Sequence, residues 1–202
     1  MSELTAEKIL HAYMAGMFPM ADGRDDNETY FVRPHTRGIF TYDTFHIPKR
    51  LKRFMRNFDY NVHINRNFPA VICACAATTH PKRDSTWINH DIETQYNLLQ
   101  EMGYAHSLEI YNGSDLLIGG LYGLSIGRIF CGESMFSKET NASKIALVEL
   151  LSYCQKRGYD FIDAQFTNDH LEQFHIQTMP QDTYETHLID GLKESISFLP
   201  SA

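Results

Sequence analysis

Ala142-Ser-Lys-Ile-Ala-Leu-Val-Glu-Leu-Leu-Ser-Tyr-Cys-Gln-Lys-Arg157, then Gly158, then Tyr159-Asp-Phe-Ile-Asp-Ala-Gln-Phe166 is the stretch that decides the fold. Sixteen residues without Gly or Pro, rich in Ala and Leu, read as a helix, and Gly158 is placed to end it in the left-handed conformation. The aromatic and apolar run 159–166 then reads as a strand. A strand reached through a helix implies a parallel or mixed neighbour in the sheet. Upstream, Ala105 to Tyr111, Asp115 to Ser125 and Arg128 to Phe136 read as three successive strands joined at Asn112-Gly113 and Ile126-Gly127, an antiparallel meander. A meander followed by a helix-fed strand predicts an α+β protein with a mixed sheet.

Further out, Tyr60 to Ile64 alternates as a strand, and Pro69 to Ala77 and Asp91 to Met102 read as helices, the second with a stripe of Ile92, Tyr96, Leu99 and Met102. Before Tyr60 the chain changes character, being broken by Gly16, Pro19, Gly23, Pro34, Gly38 and Pro48. Residues 4–15 suit a short helix capped by Thr5, with Leu4, Ile9, Leu10 and Tyr13 on its apolar side. Asn27 to Val32 and Arg37 to Tyr42 read as strands of a small sheet. In 48–58 the i, i+3, i+4, i+7 spacing of Leu51, Phe54, Met55 and Phe58 puts the basic residues on the opposite face of a helix. The expected division is a small N-terminal domain over 1–60 and a larger domain over 61–202.

Composition narrows the function classes. The chain has 202 residues, 43% hydrophobic and 21% charged, enough for a folded core and too apolar for disorder. Its longest apolar stretch, Phe68 to Ala77, is about half of the ~20 residues a membrane helix needs. The acidic first residues carry no secretory pattern, so a cytoplasmic protein is expected. Cys73, Cys75, Cys131 and Cys154 lack CxxC spacing and read as reduced core thiols; no histidine spacing suggests a metal. Net charge is −7, yet five of the 18 basic residues, Lys49, Arg50, Lys52, Arg53 and Arg56, fall together. A basic patch on an acidic body suits a polyanion at one place and an amine or cation at another; a solvated helix face is the other reading.

The strongest chemical signal is a pair of strands with acids inside apolar runs. Alternation sets Asp163 and Gln165 on one face, Ile162 and Ala164 on the other; it groups Glu133 with Cys131 and Met135 against Phe130, Gly132 and Ser134. Buried acids are costly unless paired or used. The alternatives at this point are a reactive centre or a structural hydrogen-bond network anchored by His106, Ser107 or His170.

Seven stretches in order carry a resemblance: Ala12-Tyr13-x-x-Gly16-x-Phe18-Pro19, Thr86-Trp87-Ile88, Ala105-His106-Ser107-Leu108-Glu109, Gly119-Gly120-Leu121-Tyr122-Gly123, Gly132-Glu133-Ser134-Met135-Phe136-Ser137, Asn141-Ala142-Ser143-Lys144, and Ile162-Asp163-Ala164-Gln165 with His170-Leu171. Together they resemble the leucyl/phenylalanyl-tRNA–protein transferase family. The resemblance implies a small N-terminal α/β domain followed by an N-acetyltransferase-like (GNAT-related) mixed-sheet domain that uses no coenzyme A. Glu139-Thr-Asn-Ala-Ser-Lys144 stands where such enzymes carry a pyrophosphate loop. Departures from the family are Met20 after Phe18-Pro19, Tyr30-Phe31 in place of a Trp pair, and Phe174-His175-Ile176 with Pro180-Gln181 after the acidic strand.

The implied reaction moves Leu or Phe, with Met a third candidate donor, from aminoacyl-tRNA to the α-amine of a protein beginning with Lys or Arg, marking it for degradation. Asp163 and Gln165 are the expected catalytic pair, Gln165 donating to the oxyanion and Asp163 holding or orienting the amine. Glu133, with Asp163 second, is the expected partner of the acceptor's cationic side chain. By resemblance Phe130, Met135, Leu150, Cys154 and Ile162 form the donor pocket, while Met135 has the wrong parity and belongs at its rim; the alternative for all five is ordinary core. Trp87 and Tyr96 are expected on the adenosine or acceptor side, and Lys49, Arg50, Lys52, Arg53 and Arg56 are expected to contact tRNA phosphates. No cofactor and no metal are expected, and a monomer suffices. A coenzyme A-dependent N-acyltransferase and a non-catalytic binder of basic N-termini or tRNA are the competing readings.

Overall fold

A computed structural model describes residues 4–77, 85–194 and 196–200. Met1 to Glu3, part of the segment read for a leader, lie outside the described residues. The elements run α1 (Ala6–Met14), β1 (Phe18–Met20), β2 (Tyr30–Val32), β3 (Thr36–Phe40), α2 (Lys49–Asn57), β4 (Tyr60–Ile64), α3 (Phe68–Ala76), α4 (His90–Glu101), β5 (Ala105–Asn112), β6 (Leu117–Ile126), β7 (Ile129–Ser137), α5 (Ala142–Arg157), β8 (Phe161–Gln165), α6 (Asp169–Glu172), β9 (Gln177–Pro180) and α7 (Gln181–Gly191). Among the described residues no helix is long and apolar enough to cross a membrane.

Seven strands form one mixed sheet in the order β4-β5-β6-β7-β8-β3-β9, and β1 pairs with β2 apart from it. The meander β5-β6-β7 is antiparallel, and α5 carries the chain over to β8, parallel to β7. The α5 helix closes at Gly158, whose φ of +86° is the left-handed value expected of a glycine there. Apolar residues on α1, α3, α4 and α7 cover one face of the sheet. Those on α2 and α5, with Leu171, Phe174 and Phe198, cover the other.

Arg37 to Tyr42, read as part of a small sheet, corrects that expectation: β3 is an interior strand of the main sheet, between β8 and the edge strand β9. Only β1 and β2 form the small one. The pairing of β3 is long-range and antiparallel, so nothing local announced it. The sequence also missed β9, four residues split between polar and apolar types. Cys75, Cys131 and Cys154 are buried thiols as expected, but Cys73 is exposed, because it falls on the outer side of α3.

One irregularity governs the site. Tyr122 faces Ser134 and Gly123 faces Gly132, so Glu133 is an extra residue in β7, a β-bulge. Alternation reverses there: Cys131 and Phe136 enter one core, Phe130 and Met135 the other. Met135 therefore shares its face with Phe130, correcting the parity read from the sequence. Gly123 is the partner that allows this path, since a Cβ there would strike the Cys131 carbonyl oxygen and the Phe130 ring.

Candidate active site

Strands β7 and β8 pair at only three positions, Ile129 with Phe161, Phe130 with Ile162 and Cys131 with Asp163. Beyond Cys131 the pairing with β8 ceases while β7 runs on to Ser137 beside β6. A cleft of about 1160 Å³ opens there, with Glu133, Met135, Leu147, Leu150, Ile162 and Ala164 in its wall and Trp87 at another side. A second pocket of about 340 Å³ lies against Met20, Tyr30, Thr86 and the same Trp87.

Glu133 brings an ionisable carboxyl to this largely apolar cleft. Its Oε1 accepts from the Tyr13 hydroxyl at 2.5 Å and from Gln165 Nε2 at 2.8 Å, and its Oε2 accepts from the Tyr96 hydroxyl at 3.2 Å. The two tyrosine hydroxyls meet at 2.8 Å. Burial pushes the Glu133 carboxyl up to about 8, the Asp163 charge adding to it and the three donors opposing it.

Behind Glu133 lies Asp163, whose side chain has 0% exposure. Oδ2 accepts from Arg37 Nη1 at 2.8 Å, and Oδ1 accepts from the backbone N–H of Gln165 at 2.9 Å. Burial raises its pKa, while Arg37 and the Gln165 N–H pull it back. Gln165 has a φ of +58°, a left-handed value that turns the chain out of β8 and carries its amide toward Glu133.

The structure thus brings Glu133, Asp163 and Gln165 together. Of the anchors named as alternatives, His106 and Ser107 are engaged elsewhere, His106 Nδ1 with Asn65 and Ser107 Oγ as donor to Glu109, while His170 shares the cleft wall without bonding to Glu133, Asp163 or Gln165 among the described residues. Met135, Leu150 and Ile162 line the cleft, whereas Phe130 and Cys154, each 0% exposed, are packed in the core beside it. Trp87 faces the cleft and the smaller pocket; Tyr96 lies beneath the cleft, fully buried, holding Glu133. The five basic residues of α2 are exposed, and its Leu51 is buried. Two contributors escaped the sequence reading, Tyr13 as a donor to Glu133 and Arg37 as the partner of Asp163. The available signal for Arg37 was a lone charge entering an apolar strand.

Fold and site define an α+β protein whose mixed sheet parts between two parallel strands to expose a buried acid–amide centre. Two family models cover nearly all of it, the leucyl/phenylalanyl-tRNA protein transferase N-terminal domain over residues 2–35 and leucyl/phenylalanyl-tRNA protein transferase over residues 39–189. The chain belongs to this family. The leucyl/phenylalanyl-tRNA–protein transferase of Maricaulis maris is 46% identical over 187 residues, 93% of this chain and 86% of that one. Those of Paramagnetospirillum magneticum and Hyphomonas neptunium are 42% and 47% identical, over 98% and 95% of this chain and 94% and 74% of theirs. Among solved structures, that of L-PGS from Bacillus licheniformis aligns with a TM-score of 0.43 and 15% identity, over 81% of this chain and 51% of that one.

Proposed function

We propose that this protein transfers Leu or Phe from aminoacyl-tRNA to the α-amine of proteins beginning with Lys or Arg. The observation that carries this reading is the Glu133 carboxylate set in a cleft walled by Met135, Leu150 and Ile162. A carboxyl that ionises against an incoming cation, beside an apolar wall, suits a cationic acceptor residue next to a Leu or Phe donor side chain.

The reaction is aminolysis of an ester. The acceptor α-amine attacks the aminoacyl carbonyl, a tetrahedral oxyanion forms, and the ribose oxygen of the terminal adenosine leaves with a proton. Holding the two substrates in attack geometry supplies most of the acceleration. Gln165 offers the second N–H of its side-chain amide to the oxyanion while the first stays on Glu133. Asp163 orients this donor and does not take the amine's proton, because both its oxygens are engaged and its side chain is wholly buried. Glu133 binds the acceptor's cation. Trp87, between the two pockets, offers an aromatic face to the terminal base, and the exposed cations of α2 meet tRNA phosphates.

The acetyltransferase-like architecture belongs to the same proposal, supported by the antiparallel meander, the α5 crossover and the parting of β7 from β8. So does action in the cytoplasm, where the buried thiols Cys75, Cys131 and Cys154 stay reduced. Marking of acceptors for degradation follows if the transferred residue is read as a destabilising N-terminus.

The test is transfer of radiolabelled Leu or Phe from charged tRNA to peptides beginning with Lys, Arg or Met. Label on the basic N-termini alone is the expected result. Binding of both substrates without movement of label would replace the transferase with a binding module, and consumption of an acyl-coenzyme A would replace it with an acetyltransferase-type enzyme.

A further inference from the structure

Resting on that reading, we propose that Arg37 is the positioning residue of the centre: its guanidinium fixes the Asp163 carboxylate and, through it, the turn that aims Gln165 at Glu133. The Arg37 side chain has 0% exposure, as has that of Asp163. Each arm of the guanidinium is engaged, Nη1 with Asp163 Oδ2 at 2.8 Å, Nε with Gln181 Oε1 at 3.0 Å, and Nη2 with the Gly16 carbonyl oxygen. Its planar faces are closed as well, lying 4.3 Å from the Tyr184 ring centre and 5.1 Å from that of Phe18. One planar group therefore joins β3, β8, the start of α7 and the end of α1.

Stability alone does not account for this arrangement. A buried ion pair carries a large desolvation cost for each ion, and apolar replacements of similar volume are often neutral or stabilising. The pair instead leads to a conformation the chain would not choose by itself. Asp163 Oδ1 holds the Gln165 N–H at 2.9 Å, Gln165 adopts its φ of +58°, and Nε2 reaches Glu133 Oε1 at 2.8 Å. Left-handed backbone at a non-glycine residue is strained and persists where its surroundings over-determine it. Arg37 supplies that constraint: without it the buried Asp163 loses its counter-charge, takes up a proton, and holds the Gln165 N–H more weakly. Arg37 does not line the cleft, so its effect falls on the reacting geometry and not on substrate affinity.

The experiment compares Arg37→Gln, Asp163→Asn and the double variant, in which a neutral amide pair replaces the ions. Steady-state transfer is measured, and the Gln165 backbone amide proton is followed by NMR. Arg37→Gln should lower kcat by roughly tenfold or more with KM values within about twofold, the pattern of an interaction made in the transition state. Its Gln165 amide signal should move upfield and lose exchange protection, while amide signals of α4 and β4 stay in place. The double variant should be no slower than Asp163→Asn, because Arg37 acts through Asp163. Unchanged kcat with an unchanged Gln165 signal, or losses that add in the double variant, would overturn the assignment. Should Arg37→Gln fail to fold, the double variant against Asp163→Asn decides in the same sense. A wild-type protein that transfers no label would overturn the transferase reading, and the Gln165 signal would then decide the role of Arg37 by itself.

Discussion

Gln165 Nε2 donates to Glu133 Oε1 at 2.8 Å across the gap where β7 and β8 cease to pair. The bond spans 32 residues of sequence and joins a bulge on one strand to a left-handed turn at the end of the other. Both irregularities are needed, since regular strands would carry the two side chains past each other.

Acceptor binding should depend on the charge of Glu133. Burial raises its pKa to about 8, so the carboxyl is largely neutral at pH 7 and ionised at pH 9. Affinity for a Lys-starting peptide should therefore rise across that interval by more than the peptide amine's own titration explains. Glu133→Gln should remove the extra rise and weaken binding at pH 9 by roughly tenfold to a hundredfold, the worth of a charge-assisted hydrogen bond. Calorimetric titration of both proteins at each pH is the measurement.

The same group sets a trend in stability. A carboxyl that titrates at about 8 when folded and near the ordinary 4.5 when unfolded binds more protons in the folded state between those values. Unfolding free energy must then fall as pH rises through that window. Urea titrations from pH 5 to 8.5 should show the wild type losing stability relative to Glu133→Gln, and parallel curves would refute the assignment of the raised pKa.

Donor choice should respond to Leu150, 1% exposed at the cleft wall. Leu150→Ala should deepen the cleft and shift competition between charged tRNAs toward Phe over Leu. A stability loss of about 2–5 kcal/mol accompanies a Leu-to-Ala truncation of this kind. Equal loss of both donors would show that Leu150 serves only the core.

The basic face of α2 should govern tRNA affinity without touching the chemistry. Lys49, Arg50, Lys52, Arg53 and Arg56 are exposed, so replacing Arg50 and Arg53 by Gln should leave the fold intact. Removing each cation that neutralises a phosphate should flatten the log–log salt dependence of binding by about 0.7 to 0.9. An unchanged slope would remove α2 from the tRNA interface.

Gly123 should tolerate no side chain. A Cβ would meet the Cys131 carbonyl oxygen and the Phe130 ring, so Gly123→Ala should cost about 1–3 kcal/mol by overpacking and displace the bulge at Glu133. Urea unfolding reads the first effect, and weakened Lys-peptide binding reads the second.

Much of this protein was legible residue by residue. The α5 helix matches its sequence reading from Ala142 to Arg157, because Ala- and Leu-rich propensity and the Gly158 stop are local properties. The β5-β6-β7 meander and the α5 crossover were legible for the same reason, being joined by short turns or a single helix. Asp163, Gln165 and Glu133 drew notice because acids are costly in apolar strands.

Tertiary structure alone decided the rest. Which strand fills the place beside β8 depends on β3 pairing across more than a hundred residues, and no local pattern encodes a partner at that distance. The bulge at Glu133 follows from the mismatch between β6 and β7, so it sent Met135 to the face opposite its sequence parity. The pairing of Arg37 with Asp163 exists only once β3 lies beside β8, since a charge can be buried only where the fold delivers its counter-charge. Local chemistry thus named the acids, and the packing of strands distant in sequence determined which of them faces the cleft and which is locked behind it.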